Sequence, residues 1–167
     1  LYTAQLQKNH FPFVIRYPRG KSLHNKSEIE FTEMPIGKGK CLQKGNDLAI
    51  ISIGKTCSTA KKVAERLLKE DNLQVSVYDM IFAKPIDEEL LHEICKNHKH
   101  AITIEDNTIA GGFGSAVLEF ASDNDYHIKV KRFGIPDHFV LHGSQDELIK
   151  ECGYDADSVY DWIKKMN

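Results

Sequence analysis

The chain has 167 residues, 41% hydrophobic and 28% charged, which is the size and mixture of one ordinary globular domain and excludes disordered and collagen-like chains. A formal net charge of −2 argues against a dedicated nucleic-acid binder. No apolar run exceeds the four residues from Leu48 to Ile51, far short of the roughly 18 that a membrane-spanning helix needs.

The first twenty residues hold no signal-peptide core, and an opening Leu1 is what a processed chain or a piece of something larger would show. Cys41, Cys57, Cys95 and Cys152 are widely and irregularly spaced, without a C-x-x-C pair. Reduced, mostly buried thiols in a cytoplasmic protein are therefore expected. Residues 1–45 carry eight Lys/Arg against three Asp/Glu, and the remainder fourteen against twenty-one, so a boundary near residue 45 or a little before it is expected.

In chain order, Leu1 to Gln7 reads as a helix and Pro12-Phe-Val-Ile-Arg16 as a strand. Together these are too little to bury themselves, as if 1–20 were the trailing end of an upstream domain. The stretch from Lys21 to Pro35 is polar, aperiodic and ends in Pro, the pattern of a linker. Gly39 to Gln43 reads as a short edge strand, turned at Lys44-Gly45-Asn46 into the buried strand Leu48 to Ile53. Thr56 or Ser58 is placed to cap the next helix, which runs to about Glu70 with Ala60, Val63, Ala64, Leu67 and Leu68 in one stripe. Strand Gln74 to Tyr78, a helix capped by Asp87, and strand His100 to Ile104 follow. A helix opening at Gly111-Gly112, a strand from Ile128 to Phe133, and helices near 145–152 and 156–165 complete the chain. Strands separated by helices imply parallel pairing with right-handed crossovers. The expected fold is a three-layer α/β/α unit over 39–167, with a mostly parallel five-stranded sheet and one antiparallel edge strand.

Several motifs invite a chemical reading. Gly111-Gly112-Phe-Gly114-Ser115 follows a strand and opens a helix, where free amides and the helix dipole suit a phosphate. Its spacing departs from G-x-G-x-x-G, so a tight turn with close packing is the first reading. Glu105-Asp106-Asn107 ends a strand, where ligands of open α/β sheets bind, yet neighbouring strand residues point to opposite faces. Capping and loop hydrogen bonds are their expected work. His98 and His100 read as exposed, and His138 and His142 lack the third ligand a metal would need. Arg16 and Arg19 flank Tyr17-Pro18 before Gly20. Paired arginines of this kind suit a phosphate or a carboxylate through bidentate hydrogen bonds, and equally suit a solvated surface. Spacing alone assembles no complete active site.

Five motifs in order carry a family resemblance: Pro12–Gly20 (PFVIRYPRG), Pro35–Gly39 (PIGKG), Ala83–Asp87 (AKPID), Thr103–Ser115 (TIEDNTIAGGFGS) and Phe133–Gly143 (FGIPDHFVLHG). They resemble the carboxyl-terminal portion of the 1-deoxy-D-xylulose-5-phosphate synthases, thiamine-diphosphate enzymes of the transketolase superfamily, over essentially the whole chain. The resemblance implies an enzyme that condenses pyruvate with glyceraldehyde 3-phosphate, releasing carbon dioxide, for isoprenoid, thiamine and pyridoxal synthesis. It implies a homodimer using thiamine diphosphate and Mg2+. The cofactor site, the activating glutamate and the catalytic histidines would lie in domains upstream of Leu1, so no catalytic, cofactor or metal residue is expected here and the chain alone would be inactive. By resemblance, Arg19 contacts the phosphate of the aldehyde substrate, Arg16 supports it, and the GGxGS turn is structural. The family commonly has an arginine where Ile81 stands. The competing expectations are the equivalent module of transketolase or of a keto-acid dehydrogenase β subunit, a free-standing interaction domain, and a nucleotide-binding domain using Gly111–Gly114.

Overall fold

A computed structural model describes residues 2–7, 12–18 and 31–166. Short helix α1 (Tyr2–Gln5) is followed by β1 (Lys40–Gln43), β2 (Leu48–Ser52), α2 (Cys57–Asp71), β3 (Val75–Asp79) and α3 (Glu88–Asn97). Then come β4 (His100–Thr108), α4 (Phe113–Asp123), β5 (Lys129–Ile135), α5 (Gln145–Glu151) and α6 (Ala156–Met166). The strands form one sheet in the order β1-β3-β2-β4-β5, parallel throughout except for β1, which runs antiparallel to β3. The expected architecture is the observed one.

Two cores flank this sheet, because side chains alternate across a strand. Leu48 and Ile50 of β2 point to one face, where they pack with Val63 and Leu67 of α2 and Val159 and Ile163 of α6. Ala49 and Ile51 point to the other, against Leu91 and Ile94 of α3 and Phe113 and Val117 of α4. Every residue of β2 is buried, as befits a central strand covered on both faces.

The edge strand corrects the expected hairpin. β1 and β2 are consecutive but do not pair; β3 lies between them. The link of four residues crosses over the start of β3, where the Asn46 and Asp47 amides both donate to Gln74 O at 2.9 and 3.0 Å and Asp47 Oδ2 accepts from the Gln74 amide. Only glycine permits this crossing, since a Cβ on Gly45 would stand 2.3 Å from Gln74 O.

Three further expectations are corrected at the amino end and at helix starts. Pro12 to Arg16 is not a strand: it makes no ladder, since the sheet's edges are β1 and β5. The alternation that suggested one persists as a one-sided contact, with Phe13 and Ile15 partly covered and Val14 93% exposed. The helix expected at Leu1–Gln7 ends at Gln5, two residues early, and Leu1 lies outside the described residues. Thr56 precedes α2 without capping it, because its hydroxyl donates to Ile104 O at 2.7 Å and so ties β2's end to β4. Asp87 does cap α3, accepting from the Leu90 amide, and it also accepts from the Gly39 amide at 2.9 Å.

Candidate functional site at the carboxyl edge of the sheet

Chain direction gathers four of the five motifs at one end of the sheet. The parallel strands β3, β4 and β5 run into Ala83–Asp87, Thr103–Ser115 and Phe133–Gly143, and antiparallel β1 starts at that same end, just after Pro35–Gly39. The second and third motifs touch there: a Cβ on Gly37 would stand 2.9 Å from Pro85 Cγ. The fourth and fifth do likewise, since a Cβ on Gly134 would stand 2.8 Å from Asn107 O. From β2 the chain turns one way to β3 and from β4 the other way to β5, so the crevice between β2 and β4 is the switch point where open α/β sheets bind ligands.

At that crevice the two acidic neighbours of β4 diverge. Glu105, 1% exposed, turns to α4, and its carboxylate accepts from the amides of Phe113 at 2.7 Å and Gly114 at 2.8 Å. A carboxylate at a helix start satisfies orphan amides and favours the dipole. It stands in the place a phosphate would take, so the Gly-rich turn is filled from within. The glycines are required by contact: a Cβ on Gly112 would lie 2.1 Å from Thr108 O and 2.3 Å from Glu105 Oε2, and one on Gly114 2.4 Å from Thr103 Oγ1.

Asp106 faces the opposite way. Its carboxylate pairs with Lys55 Nζ at 2.8 Å, from the turn after β2, and accepts from the Tyr154 hydroxyl at 2.7 Å, from the loop after α5. Its main-chain oxygen accepts from Arg16 Nη2 at 2.5 Å. Burial alone would raise the Asp106 carboxyl, but the hydrogen bonds from Lys55 and Tyr154, with the charges of Lys55 and Arg16, outweigh it and hold the group below its ordinary value. Burial and the same hydrogen bond to Asp106 push the Tyr154 phenol far above its own. Beside the cluster, a cleft of about 360 Å³ is lined by Ile135, Phe139, Leu148 and Ile149 as well as by Lys55 and Tyr154.

Arg16 thus reaches the crevice, whereas Arg19 lies outside the described residues. Sequence reading missed Lys55 and Tyr154. The first has a local signal, a cation just past the end of a buried central strand; the second, 48 positions from Asp106, has none. His98 is a correction. It is buried, 6% exposed, with Nε2 at 3.1 Å from Ser76 Oγ and 3.2 Å from Gly45 O, so it pins the crossing loop to β3. His138 and His142 are exposed on the loop after β5. All four thiols are free, but none is buried, and Cys41 is exposed. Burial pushes the Cys57 thiol up to about 12, outweighing its bond with Ser52, which leaves it a poor nucleophile. Among the described residues no group of three or more His, Cys, Asp or Glu is arranged to hold a metal, and no helix is long and apolar enough to cross a membrane. The arrangement ties the turn after β2, the end of β4 and the loop after α5 together.

Comparison with known proteins bears on the whole chain. The family model for the transketolase C-terminal domain matches residues 37–159. The 1-deoxy-D-xylulose-5-phosphate synthase of Cytophaga hutchinsonii is 49% identical over 167 residues, covering 100% of this chain and 26% of that protein. The synthase of Parabacteroides distasonis is 51% identical over 156 residues, 93% of this chain and 24% of that protein. The chain therefore spans about a quarter of the length of the curated relatives it matches. Among solved structures, a split gene transketolase described as an inactive β4 tetramer superposes with a TM-score of 0.73 at 31% identity, covering 80% of this chain and 43% of that one. Transketolase of Campylobacter jejuni, at TM-score 0.58 and 14% identity over 77% of this chain and 18% of that one, shares the fold. The resemblance carried by the five motifs holds along the chain's full length.

Proposed function

The chain belongs to the transketolase C-terminal-domain family, and from that premise we propose that it works as the carboxyl-terminal part of a 1-deoxy-D-xylulose-5-phosphate synthase. The observation that carries this reading is the 49% identity with the Cytophaga hutchinsonii synthase along all 167 residues. In this reading the longer enzyme joins pyruvate, with loss of carbon dioxide, to glyceraldehyde 3-phosphate, and its product feeds isoprenoid, thiamine and pyridoxal synthesis. The working enzyme is a cytoplasmic homodimer. Residues 1–20 end the upstream domain, 21–38 link it, and 39–167 form the carboxyl-terminal domain.

Thiamine diphosphate and Mg2+ belong to the upstream part. The described residues do not fit that cofactor, because the one Gly-rich helix start that could take its diphosphate is filled by Glu105. The isolated chain neither binds the cofactor nor turns over. What the chain supplies is structural support and one substrate contact: Arg19 holds the phosphate of the aldehyde substrate through its forked guanidinium, with Arg16 in support.

In the longer enzyme, numbered as here, Arg19→Ala should raise the KM for glyceraldehyde 3-phosphate about a hundredfold, from loss of a charge-assisted bond, while the KM for pyruvate stays within about twofold. Steady-state kinetics with each substrate varied in turn checks this, and equal effects on both would remove the assignment. A second reading, the equivalent module of a transketolase or a keto-acid dehydrogenase β subunit, or a free-standing interaction domain, draws on the likeness to split gene transketolase. The lower identity of that match, 31% against 49%, favours the synthase.

A further inference from the structure

We propose that the outer edge of the sheet carries a binding site for a phosphorylated sugar, in a cleft between β5 and α6. The site goes beyond the synthase reading and does not rest on it.

β5 is an edge strand, and the cleft beside it holds about 460 Å³. It backs onto the cleft at the switch point, since Cys152 lines both. Three cations line it, Lys131 and Arg132 from β5 and Lys165 from α6, against one carboxylate, Asp161, in a chain whose formal net charge is −2. Neither lysine pairs with a carboxylate among the described residues, although Lys164, next to Lys165 on α6, is paired with Asp71. Arg132 is fixed through one nitrogen. Its Nη1 donates to Ile109 O at 2.5 Å and to Ser115 Oγ at 2.7 Å, while Nε and Nη2 bond nothing among the described residues. Cations gathered without counter-charges repel one another, and a phosphate, with several charged oxygens, relieves that better than a single carboxylate does.

The rest of the lining selects the body that carries the phosphate. A carboxylate accepts hydrogen bonds and does not donate them, so Asp161 repels a bare anion but receives a hydroxyl. Ser158 Oγ donates to Asp155 Oδ2 at 2.5 Å, which leaves its oxygen to accept a second hydroxyl. Phe133 and Trp162 meet edge-on, with ring centroids 5.8 Å apart at 81°, and form an apolar wall for the C–H groups of a sugar. Lys131 Nζ stands 5.6 Å from both centroids, which brings its charge to the same wall. The volume exceeds what inorganic phosphate fills and suits a phosphate on a sugar body.

Trp162 is the one tryptophan of the chain, so its fluorescence reports on the cleft directly. Titration of the 167-residue chain with ribose 5-phosphate and with glucose 6-phosphate should give a saturable change with at least one, half-complete below about 1 mM. Inorganic phosphate should bind at least about tenfold more weakly, and glucose should give no change up to about 10 mM. Lys131→Met and Lys165→Met, both at exposed positions, should each weaken the sugar phosphate about tenfold by calorimetry. Asp161→Ala separates the two halves of the ligand: it should weaken the sugar phosphate several-fold and leave inorganic phosphate bound as before or more tightly. If neither sugar phosphate saturates, if inorganic phosphate binds as tightly as they do, or if both lysine variants bind unchanged, the cleft is a basic surface and no sugar-phosphate site. A tighter sugar phosphate in Asp161→Ala would likewise overturn the hydroxyl contact that sets the ligand class.

Discussion

Asp106 concentrates the physics of the carboxyl edge in one side chain. Its carboxylate is half-buried and would be costly there unpartnered, yet an ammonium and a phenol meet it and its charged form is favoured. A group whose folded value lies below its unfolded one contributes stability that is fully present above the unfolded value, about 4, and is lost as the pH falls through the lower folded value. Asp106→Asn should therefore lower the melting temperature at neutral pH, and its difference from the unmutated protein should shrink as the pH falls from about 5 through the unfolded value and toward the lower folded one. Thermal melts across that range check this; a difference independent of pH would show that the carboxylate's charge is not what matters. Sequence reading placed Asp106 at a strand end among loop hydrogen bonds, and opposite to Glu105, because alternation is a local rule. It missed the partners because Lys55 and Tyr154 lie on different elements that only the sheet order brings together.

The start of α4 shows the same division between local and distant causes at the level of an element. Glycines after a strand and before a helix announced a tight turn, and spacing set it apart from a dinucleotide loop. That the turn is filled by a carboxylate from β4 follows from the parallel neighbours, not from the local pattern. Gly112→Ala should destabilise by about 3 kcal/mol, since its Cβ meets both a backbone oxygen and the capping carboxylate. Gly111→Ala, where φ is +69° and nothing lies within 4 Å, should cost only the left-handed backbone strain, about 1 kcal/mol. Denaturant midpoints of the two variants check the contrast, and equal losses would mean that contact does not set the requirement. The expected β1–β2 hairpin failed for a related reason. A short loop between two strands predicts that they pair, unless the loop can pass over a third strand, and Gly45 with Asp47 and His98 makes that passage here. The Pro12–Arg16 segment misled in the other direction, because apolar alternation marks a one-sided contact whether or not a ladder forms.

At the scale of the molecule, alternation of strands and helices fixed the layers, and burial on both faces of β2 confirms its central place. The motifs looked scattered along the chain, yet four of them, and Arg16 of the first, meet at one edge, where Gly37, Gly112 and Gly134 let segments approach closely. That convergence explains why spacing alone did not group Lys55, Asp106 and Tyr154, since they lie on different elements and meet only at this edge.

The central claim is that this chain can serve as the carboxyl-terminal part of a 1-deoxy-D-xylulose-5-phosphate synthase, and a chimera tests it most directly. The matching quarter of the Cytophaga hutchinsonii synthase is replaced by residues 1–167, and formation of 1-deoxy-D-xylulose 5-phosphate from pyruvate and glyceraldehyde 3-phosphate is measured. The account predicts a kcat/KM within about tenfold of the parent enzyme. A chimera that melts like the parent but makes no product would contradict it.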